Sequence, residues 1–124
     1  MSTAGIGTDI IEIDRIEKAI AKYKQRFLDR IFTQNEQEYC QKHRTAARHF
    51  AGRFAAKEAI VKALGTGFHN SISWLDIEII NDAAGKPVVH LSNHLNNLLD
   101  HPRILLSISH CHQYATACAI YTIR

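Results

Sequence analysis

Residues 49–67 read HFAGRFAAKEAIVKALGTG. From 50 to 64 every residue except Arg53, Lys57, Glu58 and Lys62 is apolar or Gly, no Pro interrupts the run, and Gly65 and Gly67 follow it. That pattern predicts a helix over 49–64 with a glycine stop. At about 100° per residue, Phe50, Phe54, Ile60, Val61 and Leu64 share one broad face. Gly52, Ala55, Ala56, Ala59 and Ala63 fill most of the opposite side. A helix with no water-facing side belongs in a core or between subunits, and its small residues let a second backbone come close. The charges it carries therefore need partners.

Spacing supports two readings of those charges. In the plainer one, Arg53 and Lys57 lay their stems along apolar surface with solvated heads, and Glu58 and Lys62 form an exposed i,i+4 pair worth about 0.3–0.5 kcal/mol. In the sharper one, a carboxylate and several cations on a buried helix ending in Gly-x-Gly surround a metal ion and a phosphorylated ligand.

The rest of the chain supplies elements for this helix to pack on. AGIGTDII (4–11) reads as a buried strand in which Gly5 and Gly7 admit close approach of a backbone or ligand. Asp9 interrupts that apolar run, as a cap, a hydrogen-bonded edge carboxylate or a cation ligand, because a buried carboxylate must offset its lost hydration. Asp14 with Glu17 resembles a capping box opening a helix to about 30, with a break near Lys24. On it Ile16, Ile20, Tyr23 and Phe27 form an apolar stripe, and Arg15, Lys18, Lys22 and Arg26 a cationic one. Such a line is either a solvated face or a match for an acidic partner. Thr33 with Glu36 predicts a second cap and a helix over 34–43. Residues 73–80 and 87–91 read as a hairpin around NDAAGK, Ser92 as the cap of a short helix to 99, and ILLSIS with YATACAIY as a second hairpin across 110–113.

Composition narrows the class. At 124 residues the chain fits one domain, 1–124, and its 46% hydrophobic and 22% charged content is far from that of disordered chains. A net charge of +3 is too modest to imply nucleic-acid binding. Cys40, Cys111 and Cys118 cannot all pair, and their spacing matches no common zinc pattern, so reduced thiols and a cytoplasmic location are expected. Neither a signal-like start nor a run approaching ~18 apolar residues is present, so no membrane span is expected.

FAAKEAIVKA, together with GIGTDI near the start, GKPVV in the middle and SISH near the end, resembles the holo-acyl-carrier-protein synthases. These are the short class of 4′-phosphopantetheinyl transferases, and the likeness spans nearly the whole chain in the family's order. It implies an α+β fold with a long central helix packed against a mainly antiparallel sheet. It also implies transfer of 4′-phosphopantetheine from coenzyme A to a serine of apo acyl carrier protein, releasing adenosine 3′,5′-bisphosphate, in fatty acid biosynthesis. The resemblance makes Asp9 and Glu58 ligands of Mg2+, and the acyl carrier protein the acidic partner of Arg15, Lys18, Lys22 and Arg26.

Phosphoryl transfer asks mainly for charge neutralisation and in-line positioning. Lys62 suits the pyrophosphate and the departing phosphate, and Glu58 suits the general base that takes the serine proton. Arg53 and His110 suit the 3′-phosphate of coenzyme A, although His110 also reads as a turn histidine at a strand end. Gly65 is either a helix stop or a point of backbone approach to the cofactor. Pro87 rigidifies a hairpin, and the resemblance places it near the adenine. Glu58 and Arg53 are five positions apart, so they point about 140° from each other and lie roughly 7.5 Å apart along the axis. One coenzyme A reaching both is most simply met by Arg53 of a neighbouring chain, and the resemblance implies a homotrimer with sites at subunit interfaces. The alternatives are another Mg-dependent enzyme of nucleotides or pyrophosphates, and a non-enzymatic module docking its basic helix on an acidic protein or RNA.

Overall fold

The computed structural model describes residues 2–68 and 71–123. Its central element is α4 (Ala46–Leu64), three residues longer at its start than the apolar run indicates. Gly65 ends it in the left-handed region at φ 76°, where its amide donates to the Lys62 carbonyl. A residue with a side chain would be strained there.

The small-residue side of α4 lies on a three-stranded antiparallel sheet of order β1-β5-β4, formed by β1 (Ser2–Glu12), β4 (Arg103–His110) and β5 (Tyr114–Ile123). Contact is backbone to backbone. A Cβ on Gly5 would stand 1.9 Å from the Ala63 carbonyl oxygen, and one on Gly7 2.0 Å from that of Ala59. Ala115, Ala117 and Ala119 of β5 continue this thin seam, all buried with Ala55, Ala59 and Ala63 of the helix. Cross-strand register puts Asp9, Ala117 and Ile108 in one row of the sheet, facing α4. The glycines read in the sequence thus bring β1, and Asp9 with it, against the helix.

The large-residue side of α4 is covered by α1 (Ile13–Tyr23), α2 (Gln25–Ile31), α3 (Gln34–Gln41) and the hairpin of β2 (Ile77–Asn81) and β3 (Pro87–Leu91). Phe50, Ile60 and Val61 are buried here with Phe32, Leu95 and Ile77, each contributing about 1.5–3 kcal/mol by leaving water. The expected break at Lys24 is real, with φ 52° between α1 and α2. Thr33 and Glu36 form the expected reciprocal cap, and Ser92 caps α5 (Asn93–Leu98).

Several expectations are corrected. The Asp14–Glu17 box does not form: α1 starts at Ile13, its amide donating to the Gln113 carbonyl, and Asp14 pairs with Lys18 at 2.8 Å. The strand expected over 73–80 starts at Ile77, because Ser73 and Asp76 cap a short 3-10 turn (Trp74–Asp76) first. Lys57 and Arg53 are enclosed rather than reaching water, at 0% and 4% exposure. Their heads find partners inside the fold, so the snorkelling reading fails for both.

Among the described residues nothing covers the sheet face away from α4. Ile6, Ile120 and Leu105 form one cross-strand row there, and Ile10, Thr116 and Ser109 another. Ile6 and Ile10 are 65% and 66% exposed, a large apolar fraction for a surface meeting only water.

Candidate functional site

The seam between β1 and α4 sets two carboxylates and a lysine side by side. Lys62 Nζ lies 3.0 Å from Asp9 Oδ1 and donates to the Thr8 carbonyl at 3.0 Å. The exposed i,i+4 pair with Glu58 is therefore not what Lys62 makes; it turns to the strand. Glu58, half-buried, has its carboxyl pKa raised by burial first and the Asp9 charge second, with Lys62 opposing both. The Asp9 charge is close enough to act on Glu58, which puts both carboxylates at this seam. No group of three or more His, Cys, Asp or Glu suited to a metal occurs among the described residues, so a metal here would rest on Asp9 and Glu58 with water. Such a set fits a hard cation: the donors are oxygens only, they come from two different elements, and Lys62 beside them is exposed, leaving room for solvent. The ammonium held at Asp9 shows independently that the site attracts positive charge.

Lys57, one residue before Glu58, faces the other way. Its Nζ pairs with Glu36 Oε1 at 2.7 Å and donates to the Ile31 carbonyl at 2.7 Å and the Trp74 carbonyl at 3.1 Å. Glu36 also accepts from the amides of Thr33 and Ile79. Burial pushes the lysine pKa down and Glu36 restrains the fall. This ion pair ties the end of α2, the start of α3, the 3-10 turn and β2 to the helix. The sequence showed Glu36 only as a cap residue; the need for an acid opposite Lys57 on an apolar face was the available signal.

Arg53 and His110, grouped for a phosphate, lie around a common cluster without touching. Arg53 stacks on the Tyr39 ring at 4.2 Å and donates to Asn81 Oδ1 at 2.5 Å, while its buried Nε has no hydrogen-bond partner among the described residues. It lines a groove with Asn35, Tyr39, Asn81 and Gly85. Tyr39 meets His49 edge-on at 5.9 Å between ring centroids, and His49 meets His110 at 5.9 Å. His43 stacks on His49 at 3.8 Å. Of these histidines only His110 stands out in the sequence; His43 and His49 do not, because the three come from separate segments. Gly65 is exposed, and a Cβ there would meet no other side chain or strand within 4 Å among the described residues. Pro87 opens β3 and lines a separate groove with Lys86, Val89 and Arg103.

The cationic line on the first helices is divided by the kink at Lys24. Arg15 and Lys22 remain on α1 and Lys18 is paired with Asp14, whereas Arg26 sits on α2 beside Tyr23, Phe27, Arg30 and Trp74 in a surface groove. Trp74 is itself stacked between Phe54 and Phe68.

Residues 5–119 match the family described as the 4′-phosphopantetheinyl transferase superfamily. The chain belongs to that superfamily. A holo-[acyl-carrier-protein] synthase of Protochlamydia amoebophila is 62% identical over 120 residues, covering 97% of this chain and 98% of the relative. The crystal structure of such a synthase from Bacillus anthracis in complex with CoA (3′,5′-ADP) shares 40% identity, with a TM-score of 0.83 and 96% of each chain covered. The Helicobacter pylori synthase in complex with coenzyme A shares 34% identity, with a TM-score of 0.87, 94% of this chain and 99% of that one covered. The α+β transferase architecture expected from the sequence is therefore shown by both sequence and fold. No helix among the described residues is long and apolar enough to cross a membrane.

Proposed function

We propose that this transferase moves 4′-phosphopantetheine from coenzyme A to a serine of apo acyl carrier protein, yielding holo carrier and adenosine 3′,5′-bisphosphate for fatty acid biosynthesis in the cytoplasm. The observation that carries the reading is the Asp9, Glu58 and Lys62 constellation at the β1–α4 seam, in a chain similar over nearly its whole length to synthases of that name. Relatives captured with coenzyme A support the donor.

In this reading the serine oxygen forms a bond to the phosphorus next to pantetheine, and the phosphorus–oxygen bond to the adenylate breaks, its electron pair leaving on the bisphosphate. Glu58 takes the serine proton directly or through one water. The Lys62 ammonium, movable because it is exposed, turns from Asp9 toward the charge growing on the departing phosphate. Mg2+ held by Asp9 and Glu58 would supply further neutralisation of the pyrophosphate oxygens. Arg53, Gly65, Pro87 and His110 are assigned to coenzyme A, and Arg15, Lys18, Lys22 and Arg26 to the acidic carrier.

The uncovered sheet face supports a homotrimer. Its apolar row of Ile6, Ile120 and Leu105, with Ile10 exposed beside it, is what a further copy of the chain would bury. Arg53 and Glu58 still point to different sides of α4, which keeps a shared site the simplest way for one coenzyme A to reach both.

The test mixes protein, coenzyme A, Mg2+ and apo carrier and follows the carrier by mass spectrometry. A 4′-phosphopantetheine adduct on the carrier serine is expected. Turnover of coenzyme A or nucleotides without carrier modification would favour a different pyrophosphate chemistry, and no turnover would favour a docking module.

A further inference from the structure

The two main-chain carbonyls that complete the buried Lys57–Glu36 pair belong to different walls of one surface groove. Lys57 Nζ donates to the Ile31 carbonyl at 2.7 Å, at the end of α2, and to the Trp74 carbonyl at 3.1 Å, in the 3-10 turn. Ile31 and Trp74 line the same groove of about 500 Å³, together with Tyr23, Arg26, Phe27 and Arg30. The ammonium also lies 5.6 Å from the centre of the Phe32 ring, which meets Phe27 edge-on at 6.2 Å. One enclosed charge thus reaches both sides of the groove from within the fold.

That tether is a stiff one. A buried ammonium left short of acceptors is strongly unfavourable, and its hydrogen bonds are charge-assisted, so neither carbonyl can drift from it at small cost. The elements it holds are short: α2 has seven residues and the 3-10 turn three, and such pieces have little of their own to fix their position. The groove is in turn linked to the Asp9, Glu58 and Lys62 seam through α4. The Trp74 ring stacks on Phe54 at 5.0 Å and on Phe68 at 3.9 Å between centroids. Phe54 stands four residues before Glu58 on the helix, which makes their side chains neighbours about 5–6 Å apart at Cβ. A shift of the Trp74 turn therefore moves a wall of the groove relative to Glu58.

We infer that Lys57 is a positioning residue for the carrier protein: its ammonium sets the spacing between the end of α2 and the Trp74 turn, and so aligns the groove that receives the carrier with Glu58 and Lys62. The inference rests on the transfer reading above, in which Arg26 meets the acidic carrier. Lys57 is sealed at 0% exposure and touches neither substrate. Its loss acts on the carrier side of the reaction and leaves coenzyme A binding in place.

Steady-state kinetics on Lys57→Met/Glu36→Gln, in which the stranded acid is neutralised as well, separates alignment from stability. Well below the melting temperature, the apparent KM for apo carrier should rise about tenfold while the Kd for coenzyme A stays within about twofold of wild type. Leu95→Ala opens a cavity at a fully buried position in α5, leaves these tethers intact and serves as a match for lost stability. It should keep the wild-type carrier KM. Trp74 is the single tryptophan of the chain, so its emission reports the turn, and acrylamide should quench it more in the double variant than in Leu95→Ala. A folded double variant with wild-type carrier KM, an equal rise in Leu95→Ala, or equal losses toward both substrates overturns the inference and leaves the transferase reading standing. Where the double variant does not fold, the wild-type protein decides. A tryptophan-free apo carrier should change Trp74 emission and coenzyme A should not; a Trp74 that ignores the carrier overturns the inference. Absence of carrier modification by the wild-type protein removes both.

Discussion

Two lysines five residues apart on α4 end in opposite circumstances. Lys57 is sealed at 0% side-chain exposure against an equally sealed Glu36, with two main-chain carbonyls completing its shell. Lys62 is 53% exposed, and its acid, Asp9, is 16% exposed. The first pair is locked by groups from four elements; the second has solvent beside it and a second carboxylate, Glu58, acting on the same site. A buried ion pair must be fully satisfied to persist and cannot exchange partners, while a half-exposed one can open to a ligand at small cost. Position along one helix therefore divides a pair that holds the fold from one that is open to a ligand.

This division can be broken from either side. The largest effect is expected at the open site: Asp9→Ala or Glu58→Ala should reduce single-turnover transfer by about 10³-fold or more, since each would remove a ligand of the proposed cation. The thermal melt should move little, and near-normal turnover in either variant would remove the metal assignment. At the sealed pair, Lys57→Met leaves Glu36 buried without its cation and should cost about 3–5 kcal/mol in urea unfolding. Adding Glu36→Gln should restore part of that loss. A single variant as stable as wild type would mean that the network does not hold these elements to the helix.

A smaller, pH-linked effect belongs to His49. Burial and the surrounding positive charge hold its folded pKa down at about 4, below the ordinary 6.5 of an imidazole, so its contribution to stability is full above pH 6.5 and is lost as pH falls toward 4. His49→Gln should flatten the acid limb of stability against pH; an unchanged limb would assign acid sensitivity elsewhere. The smallest effect is expected on α1 and α2. Lys22→Glu with Arg26→Glu should raise the carrier KM several-fold at low salt and hardly alter coenzyme A binding. Lys18→Glu should do less than Lys22→Glu, because Lys18 is already engaged by Asp14.

What the sequence disclosed follows from the range of each interaction. The helix, its glycine stop, the Thr33 cap, the break at Lys24 and both hairpins depend on neighbours in the chain, and each was legible. Gly5 and Gly7 also announced a close backbone approach, although not that Ala63 and Ala59 would supply it. Lys57 and Glu36 lie 21 residues apart, and the acid was already explained locally as a cap, so the pairing stayed hidden. The histidine cluster was hidden for the same reason, since only packing brings three segments together. At the site, residue type nominates Asp9, Glu58 and Lys62, but neither of the two readings of Lys62 names Asp9 as its partner. A helical neighbour four residues away competes with a strand 53 residues distant, and spacing alone reports only the first.

The most direct test of that division is the single-turnover rate of phosphopantetheine transfer by Lys62→Met at saturating coenzyme A, carrier and Mg2+, on protein whose melt matches wild type. A fall of about 10²–10³-fold is predicted, the size expected when one positioned donor to developing charge is removed. A rate within a fewfold of wild type would contradict the account, because the exposed lysine would then be no more than a surface tie between α4 and β1.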